Sequence, residues 1–381
     1  MKEAVVLVIY KIIYFIVRAF PAKPGIKHLV IIKTDEIGDY MLVRNVLPYF
    51  RESEMFRGYR ISFIGNSIFR QIYNRYDQDT ADDMIWIDKW KFRRNLKYRF
   101  CILRKIRELG ATDLINLVYS GNYRLDDAIA DISAAGRKTA MANRKTGFVE
   151  RKMFDREEIY DKLIDPGPEN MFDGDRNVIF VEKILSVIVH PLRFDIKARE
   201  DISAFSLPET YFIVFPGSGI KAKKWPPDYF ARVIRHIIQN SRLVPVLCGG
   251  PGDRADAELV KSLLKIPVTD LTGQTSLPEF LTLLHHACFL ISVDTGSVHL
   301  AAAVGCPVIG LFSGLHYGRF APYPASWARH FFAIYPDETE NKIRNHQMGD
   351  LENTPIDEIK KIHPEKVIQQ VDVFLKNKPN I

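Results

Sequence analysis

Three short stretches combine residue types able to handle a phosphorylated substrate. In FPGSGIKAKKWPP, residues 215–227, an apolar run ends in Gly217-Ser218-Gly219, and Lys221, Lys223 and Lys224 follow directly. Such a turn offers bare backbone N–H groups with cations beside them, a combination suited to a diphosphate. Gly217, Gly219 and Ala222 also fit G-x-G-x-x-A formally, but Pro226-Pro227 delays the helix that a dinucleotide fingerprint should open, which disfavours hydride transfer. A plain strand-to-helix connection with solvated lysines is the competing reading. In SVDTGSVHLAAA, Asp294-Thr295-Gly296-Ser297 closes a second apolar run and opens a helix, whose N-terminal N–H groups and dipole favour an anion. Asp294 reads as a helix cap. His299 falls in the first helical turn, next to any anion bound there. In KTDEIGDYML, Gly38 permits a sharp turn and Asp39 is either an N-cap or a general base.

The elements that must position these turns are legible in outline. KHLVIIK followed by a turn at Lys33 to Asp39 and an amphipathic stretch is a βα unit with a buried parallel strand. RISFIG, DMIWID and TDLINLVY continue the alternation as far as NVIFVEKILSVIV, while DPGPENMFDGDRN reads as a loop. Near RFDIKAREDISAFSLPET the periodicity lapses, as a linker requires. A second set then begins, with strands YFIVFPG, LVPVLCGG, FLISVD and PVIGLFSG and helices over Asp228–Gln239, Asp253–Leu264, Leu277–Ala287 and Val298–Val304. The reading is α/β: two Rossmann-like, doubly wound domains facing a cleft, preceded by a hydrophobic helix. The predicted boundaries are 1–22 for that helix, 23–200 and 201–354 for the domains, and 355–381 for a final amphipathic helix docking on the N-terminal domain.

Length and charge narrow the partners. A chain of 381 residues suits two α/β domains, and its net charge of +7 is concentrated in Lys89–Arg107, where nine basic residues occur with no acid. That stretch is either a solvated helix face, with Trp90, Phe92, Tyr98 and Phe100 in the core, or a surface for anionic lipid or substrate. Nucleic acid is a third, disfavoured partner, because no RNP, zinc-finger or helix-turn-helix pattern accompanies the patch. The run Ala4 to Phe20 makes a helix of roughly 25 Å, short of the roughly 30 Å hydrocarbon layer. It reads as an interfacial anchor, with Lys11 and Arg18 on one face, or as a helix packed on the protein body. Cys101, Cys248, Cys288 and Cys306 are far apart in apolar contexts, implying free buried thiols and no metal site. Asp77–Asp79 and Asp173–Asp175 have Asp-x-Asp spacing, and both are read as surface acids.

Taken together, KTDEIGD, FPGSGIKAKKWP, CGGPGD and DTGSVHLAAAVGCPVIGLF resemble the ordered motifs of glycosyltransferase family 9, the heptosyltransferases, from about Lys27 to about Gly314. The resemblance implies a GT-B fold and inverting transfer from a nucleotide sugar, typically ADP-heptose, with no metal or other cofactor. It makes Asp39 the base and Lys223 the donor-phosphate ligand. Gly38, Gly217, Ser218, Gly219, Asp294, Thr295, Gly296, Ser297 and His299 would hold the nucleotide sugar, and Gly249 and Gly250 would approach the nucleoside. The implied acceptor is a lipid-linked glycan at the anionic inner-membrane surface, which places the protein in the cytoplasm, peripherally on that membrane. Asp35 and Glu36 stand where the family often has small or hydroxyl residues, and two acids there would repel an anionic acceptor. The competing functions are a non-catalytic nucleotide-sugar-binding protein and a GT-B-type sugar-nucleotide epimerase.

Overall fold

The computed structural model describes residues 2–22, 26–143, 155–190, 196–347, 349, 351 and 354–377, with the side chains of 2–5 left aside. The PAKPG break and the start of the predicted linker lie partly outside these residues. The chain divides into two compact units, Met1–Gly167 with Gly174–His190, and Pro168–Asp173 with Pro191–Ile381. The division thus falls near residue 190, ahead of the charged stretch expected to mark it.

The first unit is built on β1 (His28–Lys33), β2 (Arg60–Asn66), β3 (Asp83–Ile87), β4 (Asp113–Asn116), β5 (Arg137–Met141) and β6 (Lys162–Ile164). They form one parallel sheet in the order β3-β2-β1-β4-β5-β6. The second unit repeats the plan with β7 (Tyr211–Phe215), β8 (Val244–Leu247), β9 (Thr269–Asp270), β10 (Leu290–Val293), β11 (Val308–Leu311) and β12 (Phe331–Ile334). Its order is β12-β11-β10-β7-β8-β9, again parallel throughout. In both sheets the winding reverses between the first and fourth strands of the unit, so the turns after β1 and β4, and after β7 and β10, flank a switch point where open α/β sheets take ligands. The central strands β1, β4 and β10 bury every side chain, and β7 all but Phe215, because helices cover both faces.

The helices that bear on the site and its surroundings are α1 (Lys2–Arg18), α2 (Ile37–Met41), α3 (Lys89–Arg94), α4 (Leu96–Arg107), α5 (Asp126–Ile132), α6 (Pro227–Asn240), α7 (Gly296–Ala303) and α8 (Pro364–Lys376). Helix α1 packs on the body of the first unit by one face, with Tyr10, Ile13, Tyr14 and Val17 in its core. No helix among the described residues is long and apolar enough to cross a membrane. Helix α8 corrects an expectation. It packs on the C-terminal unit, where Val367, Val371 and Phe374 join the core around Phe289 and Ile309, and Trp225 Nε1 donates to the Ile362 carbonyl at 2.9 Å just ahead of it.

Three local readings also change. The segment read as a loop over 165–177 turns helical at Asp173. Asp77 and Asp173 are not surface acids: Asp77 is buried against the Arg44 guanidinium at 2.6 Å, and Asp173 pairs with Arg319 at 2.7 Å. Of the four thiols, Cys248 and Cys306 are buried, Cys288 is half-buried and Cys101 is exposed.

Candidate functional site

In the second unit the three glycine-containing turns follow β10, β7 and β8, which are adjacent strands, so sheet topology alone collects them on one edge. After β7 the chain turns at Gly217 to Gly219 and makes a short 3-10 turn over Lys221–Lys223 before Pro227 starts α6. Trp225 is buried and anchors this detour against the segment that leads into α8. The Lys223 ammonium lies 2.7 Å from Asp294 Oδ2 in the neighbouring turn, with both side chains about four-fifths covered. A cation is therefore fixed at the entrance to α7, whose N-terminal N–H groups add positive potential. Asp294 makes no cap: Thr295 is the N-cap residue, and Asp294 serves as the lysine's counter-ion.

The remaining members of the second turn form a hydroxyl cluster. Ser297 Oγ lies 2.7 Å from Ser292 Oγ and 2.8 Å from Thr295 Oγ1. Gly296 starts the helix. His299 is fully enclosed, sharing a 2.5 Å hydrogen bond between Nδ1 and the Tyr323 hydroxyl, with Phe320 edge-on to the ring. Burial lowers its pKa to about 4, so the ring is neutral at neutral pH. Through that hydrogen bond it holds the Tyr323 loop against α7.

The glycines differ in what they are for. A Cβ on Gly217 would sit 2.1 Å from the Asp253 carboxyl carbon, and one on Gly249 would sit 2.9 Å from Asp253 Cβ, so both are glycine to admit that side chain. Gly250 donates its N–H to Asp253 Oδ2 at 2.8 Å. Around Gly219 there is open space, so a Cβ there would meet nothing. Ser218 is buried and accepts from the Ile220 N–H at 3.2 Å. Asp253, which closes the CGGPGD motif, and Ser292 contact these turns, and motif reading misses both contacts. Asking what fills the space that a glycine leaves would have found Asp253.

In the first unit, Asp39 is half-buried at the third position of α2, while Glu36 occupies the N-cap and donates its N–H to Asp39 Oδ2 at 3.3 Å. Gly38 is buried one residue earlier. The two acids ahead of Asp39 each have a cation beside them: Asp35 the buried Lys33 ammonium at 2.7 Å, and Glu36 the Lys89 ammonium at 2.5 Å.

Nothing in the sequence pointed to a buried polar cluster beside this turn. Asn116, at the end of β4, donates to Asp126 Oδ2 at 3.2 Å and to the Tyr160 hydroxyl at 2.7 Å, and that hydroxyl donates to Asp127 Oδ1 at 2.8 Å. Arg156 pairs with Asp127 at 3.3 Å. Asp126 Oδ1 is buried with no hydrogen-bond partner among the described residues. Burial first, then the adjacent Asp127 and Asp35 charges, hold the Asp126 carboxyl well above the usual carboxylate range, whereas Arg156 opposes the same rise at Asp127. The folded state thus keeps a proton on Asp126 that the unfolded chain releases near pH ~3.9. The stability this proton confers is complete below that pH and is lost as pH rises toward the folded value. Asp126→Asn keeps the shape and needs no proton. Its unfolding temperature, followed from about pH 4 to about pH 8 in a thermal scan, is expected to rise progressively above that of the wild type. A constant difference across the range would contradict a neutral Asp126.

Two Rossmann-like sheets in tandem, the second gathering a lysine, glycine turns and a helix N-terminus at its switch point, define the GT-B class of fold. Comparison with known proteins agrees. Residues 192–346 match the model of glycosyltransferase family 9 (heptosyltransferase). "Lipopolysaccharide heptosyltransferase 3" of Escherichia coli K12 is 30% identical over 154 residues, 40% of this chain and 44% of that protein. The match thus spans under half the relative's length. Among solved structures, a glycosyl transferase family 9 protein from Veillonella parvula superposes with a TM-score of 0.69 at 21% identity, covering 94% of this chain and all of the other. E. coli heptosyltransferase WaaC with ADP-2-deoxy-2-fluoro heptose gives 0.62 at 17% identity, covering 91% and 99%.

Proposed function

We propose that this protein is an inverting glycosyltransferase that moves a sugar, heptose from ADP-heptose, to a lipopolysaccharide core or related surface-glycan acceptor. The observation that carries the reading is the Lys223–Asp294 pair at 2.7 Å, set between a glycine turn and the start of α7. A departing nucleoside diphosphate develops negative charge, and a fixed ammonium with preorganised N–H groups is what stabilises it. Lys223, Thr295, Gly296 and Ser297 receive the diphosphate. The turn at Gly217–Gly219 lends its N–H groups to the same diphosphate, and Gly249–Gly250 approaches the nucleoside. Asp39 takes the proton of an acceptor hydroxyl, the oxygen attacks the anomeric carbon, and the single displacement inverts it. No metal is assigned a role. The acceptor is lipid-linked, and the protein works at the cytoplasmic, anionic face of the inner membrane.

The test is incubation with ADP-heptose and with UDP-sugars, with and without a lipid-linked acceptor, in EDTA. ADP release that requires acceptor supports the reading. Isomerised donor without acceptor would make the protein an epimerase, and binding without turnover a non-catalytic receptor. Dependence on a divalent cation would overturn the metal-free assignment.

A further inference from the structure

Helix α1 is apolar on two faces, and only one is used by the fold. Leu7, Tyr10, Ile13, Tyr14 and Val17 are buried, whereas Val8, Ile12, Phe15 and Ile16 are exposed on the opposite side, Phe15 by 77%. At 3.6 residues per turn, positions 8, 12 and 15 form one outward stripe, and Lys11 and Arg18 lie along its flank. A soluble surface helix would carry polar residues there.

The stripe adjoins a basic corner. The Tyr10 hydroxyl donates to the Arg93 carbonyl at 2.6 Å, tying α1 to the end of α3, and the Phe20 ring meets Phe100 of α4 edge-on. At this corner Trp90 is 62% exposed, with the Arg94 guanidinium over its ring at 4.9 Å, and Leu96 is exposed beside it. Arg93, Arg94 and Lys97 are exposed and form no ion pair with any described residue. Arg18, by contrast, is spent on Asp131 at 2.6 Å. The start of α3 also touches the acceptor-side turn, since Lys89 pairs with Glu36, three residues before Asp39.

We propose that the outer stripe of α1 and the Trp90–Lys97 corner form one membrane-docking surface, specific for anionic phospholipid, which seats the first unit with its Asp39 turn next to the bilayer. This deepens the proposed function and rests on its membrane-borne acceptor. Charge complementarity decides the occupant. A second copy of this chain would bring like charges together, whereas an anionic bilayer takes apolar side chains at its acyl boundary, an aromatic ring at headgroup level and unpaired guanidinium groups in its phosphate layer. A helix of roughly 25 Å fits such a surface lying flat.

The test uses the full chain and vesicles, with no catalysis. Wild-type protein is expected to cosediment with phosphatidylglycerol-containing vesicles and far less with pure phosphatidylcholine vesicles. Ile12→Glu with Phe15→Glu should weaken that binding by roughly tenfold or more. Arg93→Glu with Arg94→Glu should also weaken it roughly tenfold or more and remove its sensitivity to salt. All four side chains are exposed, so unfolding temperature and ADP affinity should not move. Equal binding to both vesicle types, or undiminished binding by the variants, would overturn the proposal. So would a wild-type dimer that Phe15→Glu converts to monomer, because the stripe would then be a protein interface. An inactive enzyme that still binds vesicles as described would refute the proposed transfer and leave this surface standing.

Discussion

Asp39→Ala is expected to lower glycosyl transfer by about a hundred- to ten-thousandfold, the usual worth of a positioned general base, while leaving ADP binding close to wild type. The separation follows from the fold. Asp39 belongs to the first unit, and every residue assigned to the diphosphate belongs to the second. The alanine variant also loses a local contact, because Asp39 Oδ2 accepts the Glu36 N–H at the start of α2. Losing such a cap costs about 1 kcal/mol. Asp39→Asn separates the two effects, since the amide oxygen can keep the cap but its group cannot take a proton at neutral pH. Transfer by Asp39→Asn near the wild-type rate, measured as acceptor-dependent ADP release, would remove Asp39 from the chemistry.

Lys223→Ala should cost roughly a hundred- to a thousandfold in kcat/KM and weaken ADP binding as well, as loss of a preorganised cation at a developing anion does. Two effects combine. The ammonium disappears, and the Asp294 carboxylate, 2.7 Å away and largely covered, is left without its counter-ion beside the place where an anion must enter. Adding Asp294→Asn to Lys223→Ala removes that stranded charge. The double variant should therefore bind ADP better than Lys223→Ala alone, and a cycle of the four proteins isolates the coupling. Isothermal titration with ADP gives the binding arm directly. If Lys223→Ala bound ADP like the wild type, the pair would be structural and the phosphate site would lie elsewhere.

How much of the fold and site is readable from sequence depends on how each element is buried. Strands covered on both faces announce themselves as apolar runs, so HLVIIK, YFIVF and LISV are legible, and with them the turns that succeed them. RKTAM, next to the edge of its sheet, and KLI and TD, at the edges of theirs, are short or largely polar, and they pass for loop. Lys223 and Asp294 can be expected as neighbours, since adjacency of β7 and β10 goes with the fold class. Contacts between distant segments cannot. His299 meets Tyr323 twenty-four residues on, Glu36 meets Lys89 fifty-three residues on, and Asn116 meets Tyr160 forty-four residues on. Amphipathic periodicity likewise says that the final helix has an apolar face without saying which sheet takes it, and the Trp225 indole settles that through a partner no local pattern reveals.

The fully enclosed Arg99 sets a limit on how α1 can be treated. Its guanidinium lies 3.7 Å from the Tyr10 ring centre and 4.3 Å from that of Phe92, and it hydrogen-bonds the Tyr14 hydroxyl and, at 2.7 Å, the Arg124 carbonyl. Trimming α1 to obtain a more tractable recombinant protein would strip this cation of the Tyr10 and Tyr14 rings and open the core of the first unit to water. The helix is thus a structural wedge as well as a greasy exterior, and point changes on its outward stripe are the gentler route to a better-behaved preparation.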